Sequence, residues 1–113
     1  MTRRLLVAAA AALVLPGCGS PAPAAGRRPA PVTQTVTIEA VKYLPAELTV
    51  HVGDHVIWVN KDPFPHTVTA DSRAFDSKQI EAGASWEFVA DTKGEFPYAC
   101  TLHPPMKGVL RVQ

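Results

Sequence analysis

Between residues 33 and 113, apolar and polar side chains alternate in short runs, the period of half-buried strands. Thr33 to Val41 puts Val36, Ile38 and Ala40 on one side and threonines and Glu39 on the other. Tyr43-Leu44-Pro45 interrupts this run, because proline cannot donate to a strand ladder. The alternation resumes from Glu47 to Val52 with Leu48, Val50 and Val52 on one face. Gly53-Asp54 signals a turn, and His55 to Asn60 is rich in β-formers. A proline-bounded loop, Lys61 to Pro65, then leads to His66–Ala70, where Val68 stands between threonines. Asp71 to Gln79 is polar and irregular and receives no element. Gly83 precedes Ala84 to Ala90, in which Trp86 and Phe88 share a face, and Lys93-Gly94 makes another turn. Glu95 to Cys100 and Lys107 to Gln113 read as two further strands. No useful stretch has helical periodicity. Seven or eight strands at a spacing of about 8–12 residues predict an all-β fold, a Greek-key antiparallel β-sandwich of about eight strands.

The pattern upstream is different. Met1-Thr2-Arg3-Arg4 is basic, and Leu5 to Leu15 is an unbroken apolar run of 11 residues. That is too short to span a bilayer, which needs about 20 residues. A basic start, a short apolar core and a small-residue exit at Gly17-Cys18 read as a secretory signal over residues 1–18. Leu15-Pro16-Gly17-Cys18 also resembles the lipobox of bacterial lipoproteins, which would make Cys18 a lipid anchor. The alternative is ordinary cleavage nearby, with Cys18 discarded. Residues 19–32, rich in Pro, Ala and Gly, offer no core face and read as a flexible or polyproline-like tether. The expected location is the periplasm or the outer face of a bacterial membrane.

Charge adds an exclusion. Residues 33–113 carry seven basic and ten acidic side chains, a net of −3, whereas the whole chain is +1. Nothing in this balance suggests nucleic acid. A domain of about 80 residues buries a modest core, so a metal clip would strengthen it. With Cys18 assigned to the leader, Cys100 has no disulfide partner, and a lone thiol in an oxidising compartment calls for an occupant.

The candidate chemistry lies in Cys100-Thr101-Leu102-His103-Pro104-Pro105-Met106. Thiolate and thioether are soft ligands and imidazole is borderline, a set that favours copper over magnesium, calcium or manganese. Blue-copper sites use two histidines, one cysteine and a weak axial methionine. The loop is too tight to hold four ligands, so a second histidine must come from another strand end, and His66 after its Phe64-Pro65 is the best placed. His51 and His55, on either side of the Gly53-Asp54 turn, read as ordinary surface residues. Taken singly, Cys100 suits a buried apolar thiol, Met106 a core filler and His103 an exposed loop residue. It is their grouping in one loop that argues for a metal.

Asp62-Pro63-Phe64-Pro65-His66-Thr67-Val68, together with Tyr98-Ala99-Cys100-Thr101-Leu102-His103-Pro104-Pro105-Met106-Lys107-Gly108, resembles the cupredoxins of the plastocyanin and amicyanin group. The short Cys-x-x-His-x-x-Met loop is most similar to that of amicyanin. The resemblance covers essentially all of residues 33–113. It implies one copper ion shuttling single electrons, with His66, Cys100 and His103 as strong ligands and Met106 as the weak axial one. Two positions depart from the group. Thr67 replaces an asparagine that ties the two ligand loops together, and its hydroxyl has a shorter reach. Leu102 replaces a proline and keeps an N–H that can point at the Cys100 sulfur; on that reading, Leu102→Pro would lower the reduction potential.

The function these features lead us to expect is electron transfer without catalysis. Copper oxidases and nitrite reductases need histidines for a second copper, and only His51 and His55 remain. No oxyanion-hole pattern accompanies Cys100 to suggest a cysteine hydrolase. Redox partners would dock near His103, Pro104, Pro105 and Phe64 on a monomeric protein. The competing expectation is copper carriage or storage by the same ligands.

Overall fold

A computed structural model describes residues 10–14, 17 and 30–113. Cys18 and most of the residues expected to form a leader and tether lie outside the described residues. Among the described residues, no helix is long and apolar enough to cross a membrane.

Eight strands form two sheets. They are β1 (Thr33–Glu39), β2 (Lys42–Leu44), β3 (Glu47–Val50), β4 (His55–Asn60), β5 (Thr69–Ala70), β6 (Ser85–Val89), β7 (Gly94–Ala99) and β8 (Lys107–Val112). One sheet has the order β2-β1-β4-β6 and the other β3-β8-β7-β5. The eight-strand sandwich is as the alternation predicts, although not every pair is antiparallel. β1 runs parallel to β4, and β3 runs parallel to β8. The alternation specifies which face is buried but not strand direction, so these pairings had no signature in the pattern.

The parallel β1–β4 pair matters for the site. With Ile38 opposite Asn60, both strands end on the same side. The turn after β1 therefore lies against the Lys61–Pro65 loop after β4. Ala40, expected inward, instead sits exposed in that turn, with Ala40 and Val41 at φ 53 and 58°. Such left-handed conformations are uncommon for residues other than glycine, above all for β-branched Val41, so the surroundings must hold them.

The core lies between the sheets. Val36, Ile38, Val56 and Trp58 come from one sheet, and Val50, Tyr98, Leu110 and Val112 from the other. The irregular segment from Asp71 to Gln79 adds Phe75, whose ring lies within 4.7–6.2 Å of those of Trp58, Trp86, Phe88, Phe96 and Tyr98. A single large apolar residue in a polar stretch leaves no periodic trace, which is why the sequence pattern passes over it.

Candidate metal centre

Of the six buried polar residues in the described region, five lie between the last residue of β4 and the first of β5: Asn60, Asp62, His66, Thr67 and Thr69. Buried polar groups are costly unless bonded. Here every buried side-chain nitrogen and oxygen in the described region has a partner. The site is the point where these bonds converge.

His66 is fully buried. Its backbone exchanges two hydrogen bonds with Ile80, His66 N to Ile80 O at 3.1 Å and Ile80 N to His66 O at 2.7 Å. Its ring Nε2 is 2.7 Å from Asp62 Oδ2. Burial alone would raise the Asp62 pKa. The Val41 N–H, the His66 ring and the Ala40 N–H together outweigh it and hold the carboxyl below the ordinary aspartate range. Asp62 is therefore an ionised acceptor, and Nε2 carries the ring proton. That leaves the Nδ1 lone pair facing Cys100 Sγ at 3.8 Å. A carboxylate that fixes the tautomer of a liganding imidazole is a common support for metal sites. Asp62 is positioned by Ala40 N to Oδ1 at 2.8 Å, Val41 N to Oδ2 at 2.9 Å, and its own N–H to Asn60 Oδ1 at 2.9 Å. The same contacts brace the left-handed Ala40-Val41 turn.

Cys100 follows β7 and is buried. Cys100 N donates to Met106 O at 3.1 Å and Met106 N to His103 O at 2.9 Å, so two backbone bonds close the seven-residue loop. His103 is half-buried, with Nδ1 3.7 Å from Cys100 Sγ. Its ring lies 4.9 Å from that of His66 and 5.6 Å from that of Phe64. The ligand atoms of His66, Cys100 and His103 all lie within 4.8 Å of one another. A first-row ion with nitrogen at about 2.0 Å and sulfur at about 2.3 Å separates the two by about 3.7 Å at a 120° angle. The observed 3.8 and 3.7 Å match that spacing. Met106 is buried in the same loop. Two nitrogens, one thiolate and a thioether fit one copper ion better than a hard cation.

The Cys100 sulfur takes its hydrogen bond from Thr67 N at 3.3 Å. Among the described residues, Leu102 N donates nothing to it. This corrects the expectation for Leu102, which lies in the exposed bend of the loop, while Thr67 comes from the facing segment with its N–H aimed inward. The expectation for Thr67 fares better. Thr101 N donates to Thr67 Oγ1 at 2.9 Å, so the hydroxyl does tie the His66 segment to the Cys100 loop. His51 and His55 stay apart from the site, His51 3.9 Å from Asp54 and His55 against Glu87, both partly exposed.

Residue patterning did not single out Asn60, Asp62 or Tyr43 as parts of the site. Asn60 Nδ2 donates to Phe64 O at 2.9 Å and Ile80 O at 3.0 Å, holding the loop that presents His66. The buried Tyr43 hydroxyl donates to Thr67 O. Burial, aided by the neighbouring Cys100 and Tyr98, pushes the Tyr43 pKa far up, so it stays a donor. A lone Asp four residues before a histidine, or a tyrosine two residues before a proline, carries no signal of such a role.

Comparison with known proteins agrees with this geometry. The pattern describing the "Cupredoxin-like domain" family matches residues 5–112. Amicyanin of Paracoccus versutus is 32% identical over 83 residues, covering 69% of this chain and 63% of that protein. Plastocyanin of Scenedesmus fuscus is 29% identical over 92 residues, covering 66% of this chain and 89% of the relative. The chain thus spans less than two thirds of the length of the amicyanin it matches. The structure of a point mutant of amicyanin in its Cu(I) form superposes with a TM-score of 0.67 at 29% identity, covering 72% of this chain and 82% of that one. A copper-containing nitrite reductase from Thermus scotoductus superposes with a TM-score of 0.66 at 29% identity, but over only 23% of its own chain. Matched along nearly its whole length and folded as the same two-sheet sandwich, this chain belongs to the cupredoxin-like family.

Proposed function

We propose that this protein is an exported type 1 copper protein that carries single electrons between redox partners. The observation that carries the reading is the cluster of His66 Nδ1, Cys100 Sγ and His103 Nδ1, the first two residues buried and the third half-buried. His66, Cys100 and His103 would be the strong ligands and Met106 the weak axial one. Bound copper supplies one-electron chemistry by passing between its two oxidation states. The chain's part is to keep the donors in nearly one arrangement for both. His66 is held by Asp62 and Ile80, Cys100 by Met106 and Thr67, and Pro104 and Pro105 stiffen the turn between the last two ligands.

His103 is the electron port, since it alone of the three polar ligands is partly exposed. Phe64, Leu102, Val41 and Leu44 are among the few large apolar side chains exposed in the domain. A surface groove lined by Val41, Leu44, Leu102, His103, Pro104 and Pro105 runs beside the port, with Lys42 and Lys107 at its margin. Brief redox encounters use small interfaces of this kind. An enzymatic role is disfavoured by the placement of the remaining histidines. His55 opens β4 and the site lies beyond its end, roughly 17 Å away at strand rise. Export rests on the basic and apolar leader, and Cys18 would be the lipid anchor. Loss of membrane association in Cys18→Ala tests the anchor.

Adding cupric ion to the purified protein should produce an intense blue colour that Cys100→Ser abolishes. A colourless wild type would overturn the proposal. Rapid loss of copper to a chelator, combined with slow electron exchange, would favour copper carriage instead.

A further inference from the structure

Thr67 follows His66 and Thr101 follows Cys100, so the hydrogen bond from Thr101 N to Thr67 Oγ1 links the residues next to two ligands. Thr101 Oγ1 also lies 3.3 Å from Thr67 Oγ1. From there the hydroxyl contacts continue away from the site, Thr67 Oγ1 to Thr69 Oγ1 at 3.0 Å and Thr69 Oγ1 to Asp76 Oδ1 at 3.1 Å. Asp76 is itself held by Lys78, whose N–H donates to Oδ1 at 2.9 Å and whose ammonium lies 3.2 Å from Oδ2. The Lys78 N–H is the main reason the Asp76 carboxyl sits below the ordinary aspartate range, and so is ionised near neutrality.

Proton counting gives this chain a direction. An ionised carboxylate only accepts, and a hydroxyl has one proton to give. Thr69 gives its proton to Asp76, so Thr67 gives its proton to Thr69. Thr67 Oγ1 is then left as a pure acceptor towards the Thr101 N–H and O–H. Thr67 and Thr69 are buried, which shields this order from bulk water. Without Asp76, the Thr69 proton is free to turn towards Thr67 and the Thr67 proton towards Thr101 Oγ1, so the orientation that aims Thr67 Oγ1 at the Thr101 N–H is no longer fixed.

We propose that Asp76 is a positioning residue for the metal centre, acting through Thr69 and Thr67 to clamp the Cys100 loop to the His66 segment. Thr67 N also donates to the Cys100 sulfur, so loosening the clamp weakens a bond that tunes that sulfur. The electrochemical consequence rests on the copper reading, while the clamp itself is a property of the metal-free protein.

The test compares Asp76→Ala, Asp76→Asn and Thr69→Val in the full-length protein. One readout is hydrogen exchange of the Thr101 amide without metal, and the other is the reduction potential after copper loading. Asp76→Ala and Thr69→Val should each speed Thr101 exchange about fivefold, the equivalent of one ordinary hydrogen bond, and lower the potential. Asp76→Asn keeps an acceptor oxygen towards Thr69 and should stay near wild type in both. If Thr69→Val changes neither readout, Asp76 merely braces its own loop and the proposal is wrong. It is equally overturned if Asp76→Asn is as disruptive as Asp76→Ala, because charge and not acceptor geometry would then be at work. A wild type that takes up no copper would sink the copper reading, while Thr101 exchange would still decide the clamp.

Discussion

Asp62 Oδ2 lies 2.7 Å from His66 Nε2, and the same carboxylate accepts the backbone N–H groups of Ala40 and Val41. Three donors thus converge on two oxygens of one side chain. An alanine leaves all three without a partner, and an asparagine turns its NH2 towards at least one of them. Both Asp62→Ala and Asp62→Asn should weaken copper binding by about 10–100-fold, the usual effect of removing the partner of a ligand histidine. Competition with a chelator of known affinity measures it, and wild-type affinity in either variant would contradict the tautomer assignment.

Asp54 makes a similar brace at the far end of the sandwich. The backbone N–H of His51, and after it that of Val32, holds its carboxyl below the ordinary aspartate range. The folded value is lower than the unfolded one. Its stabilisation is therefore present above the ordinary aspartate pKa, near 4, and is lost as pH falls through the lower folded value. Asp54→Ala should be less stable than wild type at pH 7, with the gap narrowing at pH 3. Urea midpoints at the two pH values decide it, and a constant gap argues against the linkage.

Gly108 faces Tyr98 across the β7–β8 pair, and a Cβ there would collide with the Tyr98 ring and its hydroxyl. The ring is buried and wedged between Tyr43 and Trp58, so it has nowhere to move. Gly108→Ala should cost about 1–3 kcal/mol in overpacking. Chemical denaturation of the metal-free protein gives the value, and an unchanged midpoint would show that the strand can shift.

Phe75 joins the aromatic residues of both sheets from an otherwise polar loop. Phe75→Ala should destabilise the protein by about 3–5 kcal/mol, as expected for emptying a buried aromatic site. A drop below about 1 kcal/mol would mean that the neighbouring rings collapse into the space, contrary to close packing.

Pro105 is exposed, lines the groove beside His103 and offers no ligand atom of its own. Pro105→Glu should leave the blue spectrum intact while slowing electron exchange with the physiological partner. Equal rates would remove this face from the docking surface.

Much of the fold was legible because each strand must turn one face inward, and period-two alternation records that need. His55–Asn60 in particular matches an observed strand end to end. The three candidate ligand side chains in Cys100–Met106 stood out for another reason, since one tight loop carries them and their spacing survives in the sequence. His66 needed only the proline-bounded loop before its segment.

What remained hidden depends on pairs of residues far apart in the chain. Alternation does not say that β1 and β4 run parallel, yet that pairing is what sets Ala40 and Val41 against Asp62. Nor does it say that the Thr67 N–H, and not that of Leu102, meets the sulfur, because a hydrogen bond depends on where a donor points in space. The amino-acid sequence by itself determined most of the strand faces and offered the candidate donors. Only the tertiary structure decided the tautomer of His66, the partner of the Cys100 sulfur and the clamp through Thr67, because these arise from directional bonds between segments that meet only when the two sheets close.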